Sequence, residues 1–272
     1  MKKSKRKSKQ NYRNVYILIS IFTLVIIISI FLINRKEIYK IEPRVDKVKK
    51  STVIDNSKFE TVGWLRVQGT NIDYPVIYCE DMKEDFPVTL ESFVWLDNPN
   101  SNFNDNIRIT GHNIFNLSSK PKKHSKYFKR FEELLAFIYP DFAKENEYIQ
   151  LTIDGKEYLY KIFSVSFIGV STETFLPKSS ELTKDNFNEF KKIIDDNNIY
   201  DYDVDINEND KFISLSTCTR AFIEDSEMAY YVHGRLLRDG ERATKYKVKK
   251  SKNYKVVEKM MKENEDEKES VA

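Results

Sequence analysis

Nineteen consecutive residues without a charge, VYILISIFTLVIIISIFLI from Val15 to Ile33, stand near the start of the chain. At about 1.5 Å rise per residue, a helix of this length spans roughly the 30 Å hydrocarbon core of a bilayer. The stretch therefore predicts one N-terminal transmembrane helix. It exceeds the roughly 7–15 residues of a signal-peptide core and lacks a small-residue cleavage site, so it is expected to remain as an anchor. Lys2, Lys3, Lys5, Arg6, Lys7, Lys9 and Arg13 lie before it, whereas the far side mixes Arg35, Lys36 and Lys40 with Glu37, Glu42 and Asp46. The positive-inside rule then makes residues 1–14 a basic cytoplasmic tail and puts everything beyond about residue 34 outside the cell.

The overall charge of +3 conceals an acidic body. Residues 1–14 hold seven basic and no acidic groups, and 241–272 hold ten basic against seven acidic, so 15–240 carry −7. A nucleic-acid surface needs basic groups gathered on the folded domain, and none is expected here. The two cysteines, Cys79 and Cys218, allow at most one disulfide, too few to staple a small secreted domain, so stability must come from a core.

Residues 34–57 are charged and lack a clean apolar period, which reads as a juxtamembrane linker or short helix. From there the pattern turns to strands: GWLRVQGTNIDYPVIY (63–78) alternates around a turn, and SFVWLD (92–97) and NIRIT (106–110) flank a turn-rich segment. Phe128, Phe131, Leu134, Leu135 and Ile138 recur at helical spacing, with Pro140 expected to end that short amphipathic helix. In YIQLTI-DG-KEYLYKIFSVSFIGV (148–170), Asp154-Gly155 suits a tight hairpin turn. Thr183 is placed to cap a helix with Phe187, Phe190, Ile193 and Ile194 on its apolar face, and 195–210 reads as an acidic loop. KFISLSTC (211–218) and MAYYVHGRLL (228–237) are two further strands. Short, turn-punctuated strands with a few helices predict one mainly-β, barrel-like domain over 58–239. Residues 240–272 are nearly all charged or polar and are expected to be disordered or loosely helical.

Three histidines exist: His112, His124 and His233. His112 follows a strand in IRITGHN, and Cys218 ends the strand FISLSTC, so both sit where a side chain can face a groove. Such a pair can act as a nucleophile with its acid/base partner. The plainer alternative is a buried strand thiol and a turn histidine. Zinc binding has no CxxC, HExxH or carboxylate–histidine cluster behind it, so no metal is expected. His124, in KPKKHSK, reads as a solvated loop residue, His233 as a strand residue of the core or barrel surface, and Cys79 as a packing residue.

TGHN at 110–113, LSTC at 215–218 and YYVHGRL at 230–236 together resemble the class B sortases. The strand order, the helix-bearing insertion before the cysteine strand, the GWLRVQGTNIDYPV opening and the single N-terminal anchor are similar as well. The resemblance implies a sortase-like closed β-barrel with a few peripheral helices, in a Gram-positive cell-wall transpeptidase. Such an enzyme cuts a C-terminal sorting motif of an exported protein and joins it to a peptidoglycan amine, without a cofactor. Cys218 would be the nucleophile and His112 the general acid/base, with Ser216 and Thr217 either shaping the pocket or simply packing. Both thiols are expected to be outside any disulfide.

One departure stands out. Sortases carry an arginine on the strand after the cysteine, and counting back from HGRL that place holds Ala229. Arg220, two residues past Cys218, is the favoured substitute, and Arg108, in register with His112 on its strand, is the second. Arg235 shares the parity of Ala229 but lies six residues on, roughly 20 Å along an extended strand. The missing arginine leaves a catalytically impaired protein that binds sorting motifs or wall components without turnover as the alternative. A papain-like protease is disfavoured because His112 precedes Cys218 and the chain is β-rich.

Overall fold

The computed structural model describes residues 16, 19–26, 60–78, 94–96, 106–113, 131–169, 176–219 and 228–270. Two units make up the chain, Met1–Tyr39 and Lys40–Ala272. In the first, Tyr16 and residues 19–26 are helical, with apolar side chains exposed, Phe22 at 67 % among them. Among the described residues no helix is long and apolar enough to cross a membrane. The anchor expected over 15–33 extends outside them.

The second unit is a closed barrel of eight strands. These are β1 (Glu60–Val67), β2 (Asp73–Tyr78), β3 (Val94–Leu96), β4 (Asn106–Thr110), β5 (Tyr148–Ile153), β6 (Lys156–Gly169), β8 (Phe212–Thr219) and β9 (Met228–Leu236), with β7 (Tyr200–Tyr202) outside the barrel. The strands neighbour one another in the order β1-β2-β3-β4-β8-β9-β6-β5, and β5 closes on β1. Period-two alternation sends Ile107, Ile109, Ile213, Leu215 and Val232 into the barrel interior at 0 % exposure. The β5–β6 hairpin turns at Asp154 (φ 50°) and Gly155 (φ 73°), two successive left-handed residues, as a primed turn requires. The pair that matters most for function is β4 with β8, which run parallel from Asn106↔Phe212 to Thr110↔Ser216. Parallel neighbours need a long crossover. The chain between them supplies it and carries α1 (Pro140–Glu145), the hairpin and α2 (Phe187–Asn197).

Several sequence expectations are corrected here. The predicted amphipathic helix before Pro140 is a 3₁₀ helix, Phe131–Ile138, whose eight residues are all buried, Glu132 and Glu133 included. Glu133 accepts hydrogen bonds from the backbone and side-chain amides of Asn71, which is how a carboxylate tolerates that site. Pro140 opens α1 rather than ending a helix, because its missing N–H is harmless in a first turn. α2 begins at Phe187 after Asn186, so Thr183 is not its cap. Phe187, Phe190 and Ile194 of α2 pack with Phe163, Phe212 and Tyr231 on the barrel's outer face. The supposed acidic loop 195–210 contains the end of α2 and strand β7.

The largest correction concerns 240–272. β10 (Val248–Lys250) pairs with β7, and α3 (Tyr254–Ser270) buries Tyr254, Val257 and Met260 in the main core. The charged majority masks an apolar residue at every third position, and composition alone is blind to spacing. The hydroxyls of Tyr200 and Tyr254 both donate to the Ile138 carbonyl, at 2.6 and 2.8 Å, tying this segment to the 3₁₀ helix. The folded domain therefore runs past residue 239.

His233, expected in the core or on the barrel surface, shares the outer face with its register partner Ser214 and is 1 % exposed, with the Phe190 ring of α2 against it. Its Nδ1 lies 2.8 Å from Ser214 Oγ and its ring stacks on Tyr231. Burial drives its pKa from 6.5 down to about 3. The unfolded chain takes up this proton as pH falls through 6.5 while the folded protein refuses it, so stability drains toward acid. Glu147 acts oppositely: burial raises it from 4.5 to about 7, so the folded state keeps a proton the unfolded state has released and loses stability as pH rises through that window. Between pH 4.5 and 6.5 the two offset one another. Below 4.5 Glu241, held well under the usual carboxylate range by hydrogen bonds from Arg235, joins His233. Urea unfolding of His233→Gln is expected to show an acid limb shallower than wild type by up to about 1.4 kcal/mol per pH unit; an equal or steeper limb would contradict a buried neutral His233.

Candidate active site

Gly111 continues the β4–β8 ladder past the end of β4, its N–H donating to the Ser216 carbonyl at 3.1 Å. Thr110 faces Ser216, so two residues on, His112 falls opposite Cys218 at the C-terminal ends of two parallel strands. Three further bonds fix this corner. Thr217 Oγ1 donates to the Gly111 carbonyl at 2.7 Å, Asn113 Nδ2 to the Cys218 carbonyl at 2.9 Å, and the Phe131 N–H to the His112 carbonyl at 2.9 Å. The glycine before His112 has a steric cause: a Cβ there would stand 2.7 Å from the Phe131 ring. The 3₁₀ helix thus presses directly on the loop that presents the histidine.

His112 is partly exposed and Cys218 is exposed, its thiol outside any disulfide. By strand parity Cys218 points outward, with Arg108, Thr110, Ser214 and Ser216 on the same face. Cys218 and Ala229 are direct register partners on β8 and β9. The Ser216 and Cys218 carbonyls turn toward β4, so Cys218 and Ala229 form the antiparallel pair without mutual backbone bonds, whose Cα atoms approach to about 4.5 Å. A side chain at 229 is therefore the nearest cross-strand neighbour of the Cys218 side chain, and a 6 % exposed alanine stands there.

The other sequence candidates separate clearly. Arg108 lies on β4 opposite Ser214, two steps down the outer face from His112, with its N–H on Ser179 Oγ at 2.7 Å. Arg235 is at the far end of β9 opposite Phe212, 1 % exposed, with a two-pronged bond to Glu241. Thr217, 1 % exposed, serves as a structural pin. Arg220, Cys79 and His124 lie outside the described residues, as does any backbone donor just after Thr219. Two residues of the site carry little signal in the sequence: Asn113, visible only as the last letter of TGHN, and Trp95, whose ring centroid lies 4.9 Å from that of His112. Trp95 alternates with the inward Val94 and Leu96, a signal that it faces the same side as Thr110. Among the described residues no group of histidine, cysteine or carboxylate side chains has the arrangement of a metal site.

The family model for the sortase domain matches residues 65–237, which span every element of this corner. The chain belongs to the sortase family. No curated protein matches it at the sequence level. Among solved structures, this sortase is similar to Clostridium perfringens sortase B, at 24 % identity over 65 % of this chain and 93 % of that one, with a TM-score of 0.52. It is similar to Staphylococcus aureus sortase B at 20 % identity, over 65 % and 82 % of the two chains, with a TM-score of 0.51. A Staphylococcus aureus sortase B–substrate complex shares 19 % identity over 65 % and 80 %, with a TM-score of 0.50. The fold is thus the one the motifs predicted, that of the class B sortases.

Proposed function

We propose that this sortase is a membrane-anchored cysteine transpeptidase. The observation that carries the reading is the parallel β4–β8 register, which brings His112, two residues past the end of β4, beside the end of β8 that holds Cys218, within a sortase domain. Cys218, as thiolate, attacks the scissile carbonyl of a sorting motif near the C-terminus of an exported protein. His112, as imidazolium, gives its proton to the departing amine, leaving a thioacyl enzyme. The neutral imidazole then takes a proton from an incoming peptidoglycan amine, which attacks the thioester and releases the Cys218 thiolate beside the restored imidazolium. No cofactor enters these steps. The substrate complex of the Staphylococcus aureus relative supports a sorting-motif substrate. The anchor over 15–33, a cytoplasmic N-terminus and an extracellular catalytic domain in a Gram-positive cell rest on the apolar run and its flanking charges.

Ala229 opposite Cys218 favours a second reading, a sortase-like protein that binds sorting motifs or wall components without turnover. In the first reading a cation must come from elsewhere, and Arg220 is the nearest in sequence, with Arg108 behind it. Cleavage of a panel of fluorogenic sorting-motif peptides separates the readings. Wild type is expected to cleave one motif class, and Arg220→Ala to lose about 10²-fold in kcat/KM, the scale of one oxyanion donor. An unchanged Arg220→Ala rate removes Arg220 from the site, and peptides bound but never cleaved establish the non-catalytic reading.

A further inference from the structure

Trp95 stands in register with Thr110 across the β3–β4 pair, and register partners share a face of the sheet. Its neighbours Val94 and Leu96 fill the barrel interior at 0 and 1 % exposure, so the indole alone of this strand looks outward, toward the site. There its ring centroid lies 4.9 Å from that of His112, with the planes at 59°. The backbone around His112 is held on both sides, by the Phe131 N–H on its carbonyl and by the Asn113 amide on the Cys218 carbonyl. Those bonds act on the backbone. The imidazole ring itself meets the indole, which forms a wall on one side of it.

We propose that Trp95 is a positioning residue for His112: it confines the imidazole to the orientation facing Cys218. The inference rests on the reading of His112 as the general acid/base, because only a ring that must deliver and take up a proton at a set place depends on a fixed orientation. A histidine with no proton to deliver would make the contact ordinary packing.

The test uses the full chain. Trp64→Phe leaves Trp95 as the single tryptophan, since the sequence holds two. A histidine ring in contact with an indole quenches its emission, so Trp95 emission is expected to rise in His112→Gln. This arm stands whether or not the chain turns over substrate; emission that ignores His112→Gln overturns the proposal even in an active enzyme. In the kinetic arm Trp95→Leu is expected to lower kcat about 5- to 20-fold with KM nearly unchanged. Trp95→Phe, which keeps an aromatic face and the packing, is expected to restore most of the rate. A Trp95→Leu enzyme with kcat unchanged, or with its whole loss in KM, overturns the positioning role. Normal quenching in a chain that cleaves no peptide would keep the contact and sink the transpeptidase reading instead.

Discussion

Cys218→Ala is expected to reduce peptide cleavage and transpeptidation by at least about 10³-fold, leaving only what binding and the surrounding dipoles supply. His112→Gln is expected to cost about 10²- to 10⁴-fold, because a positioned acid/base contributes on that scale and glutamine can neither give nor take the proton. Both follow from one geometric fact: the parallel β4–β8 register brings two residues 106 positions apart to neighbouring strand ends. Sorting-motif affinity should survive in Cys218→Ala, since the rest of the outer face is untouched. Measuring binding and turnover of one peptide on both variants checks this. Full turnover in Cys218→Ala would remove the nucleophile from the mechanism.

The second large effect concerns stability. Glu241 accepts both prongs of the Arg235 guanidinium at 2.6 and 2.9 Å, the Lys161 ammonium at 2.5 Å and the Arg238 N–H at 3.0 Å. Arg235 is 1 % exposed, so it has no water to turn to. Glu241→Ala leaves a buried guanidinium and a nearly buried ammonium facing each other, and is expected to cost about 3–5 kcal/mol. The first backbone to loosen should be the β10–α3 segment, which Glu241 leads into from the barrel. Urea denaturation gives the total, and amide exchange over 244–260 gives the location. A loss below about 1 kcal/mol would mean that water reaches Arg235.

Much of this arrangement is legible in the residues. Asp154-Gly155 specifies its own turn, and the short strands flanked by Gly, Pro and Asn declare themselves by alternation. Counting back from HGRL finds Ala229 at the place of the family arginine, and the β8–β9 ladder, which runs without a bulge from Met228 to Arg235, sets that residue opposite Cys218. The same count would fail on β6–β9, where the register shifts between Ile162 and Ser164. What spacing alone cannot supply is the β4–β8 pairing, since no local signal joins residues a hundred positions apart. The motif resemblance to class B sortases carries that step. The C-terminal segment was hidden for another reason: Tyr246, Val248, Tyr254, Val257 and Met260 are too few to register in a charged composition, yet each lands on the core. Pro140 misled because proline is equally at home in opening a helix and in stopping one. Trp95 escaped notice because its partner in function is found only once β3 is laid against β4.

The most direct test of the thioacyl mechanism is the intact mass of the protein after brief mixing with a cleavable sorting-motif peptide and no amine. A mass gain equal to the N-terminal cleavage fragment less one water, mapped to Cys218, absent in Cys218→Ala and discharged by an added amine, is the expected result. Cleavage that proceeds with no adduct on Cys218, or an adduct on another residue, would contradict it.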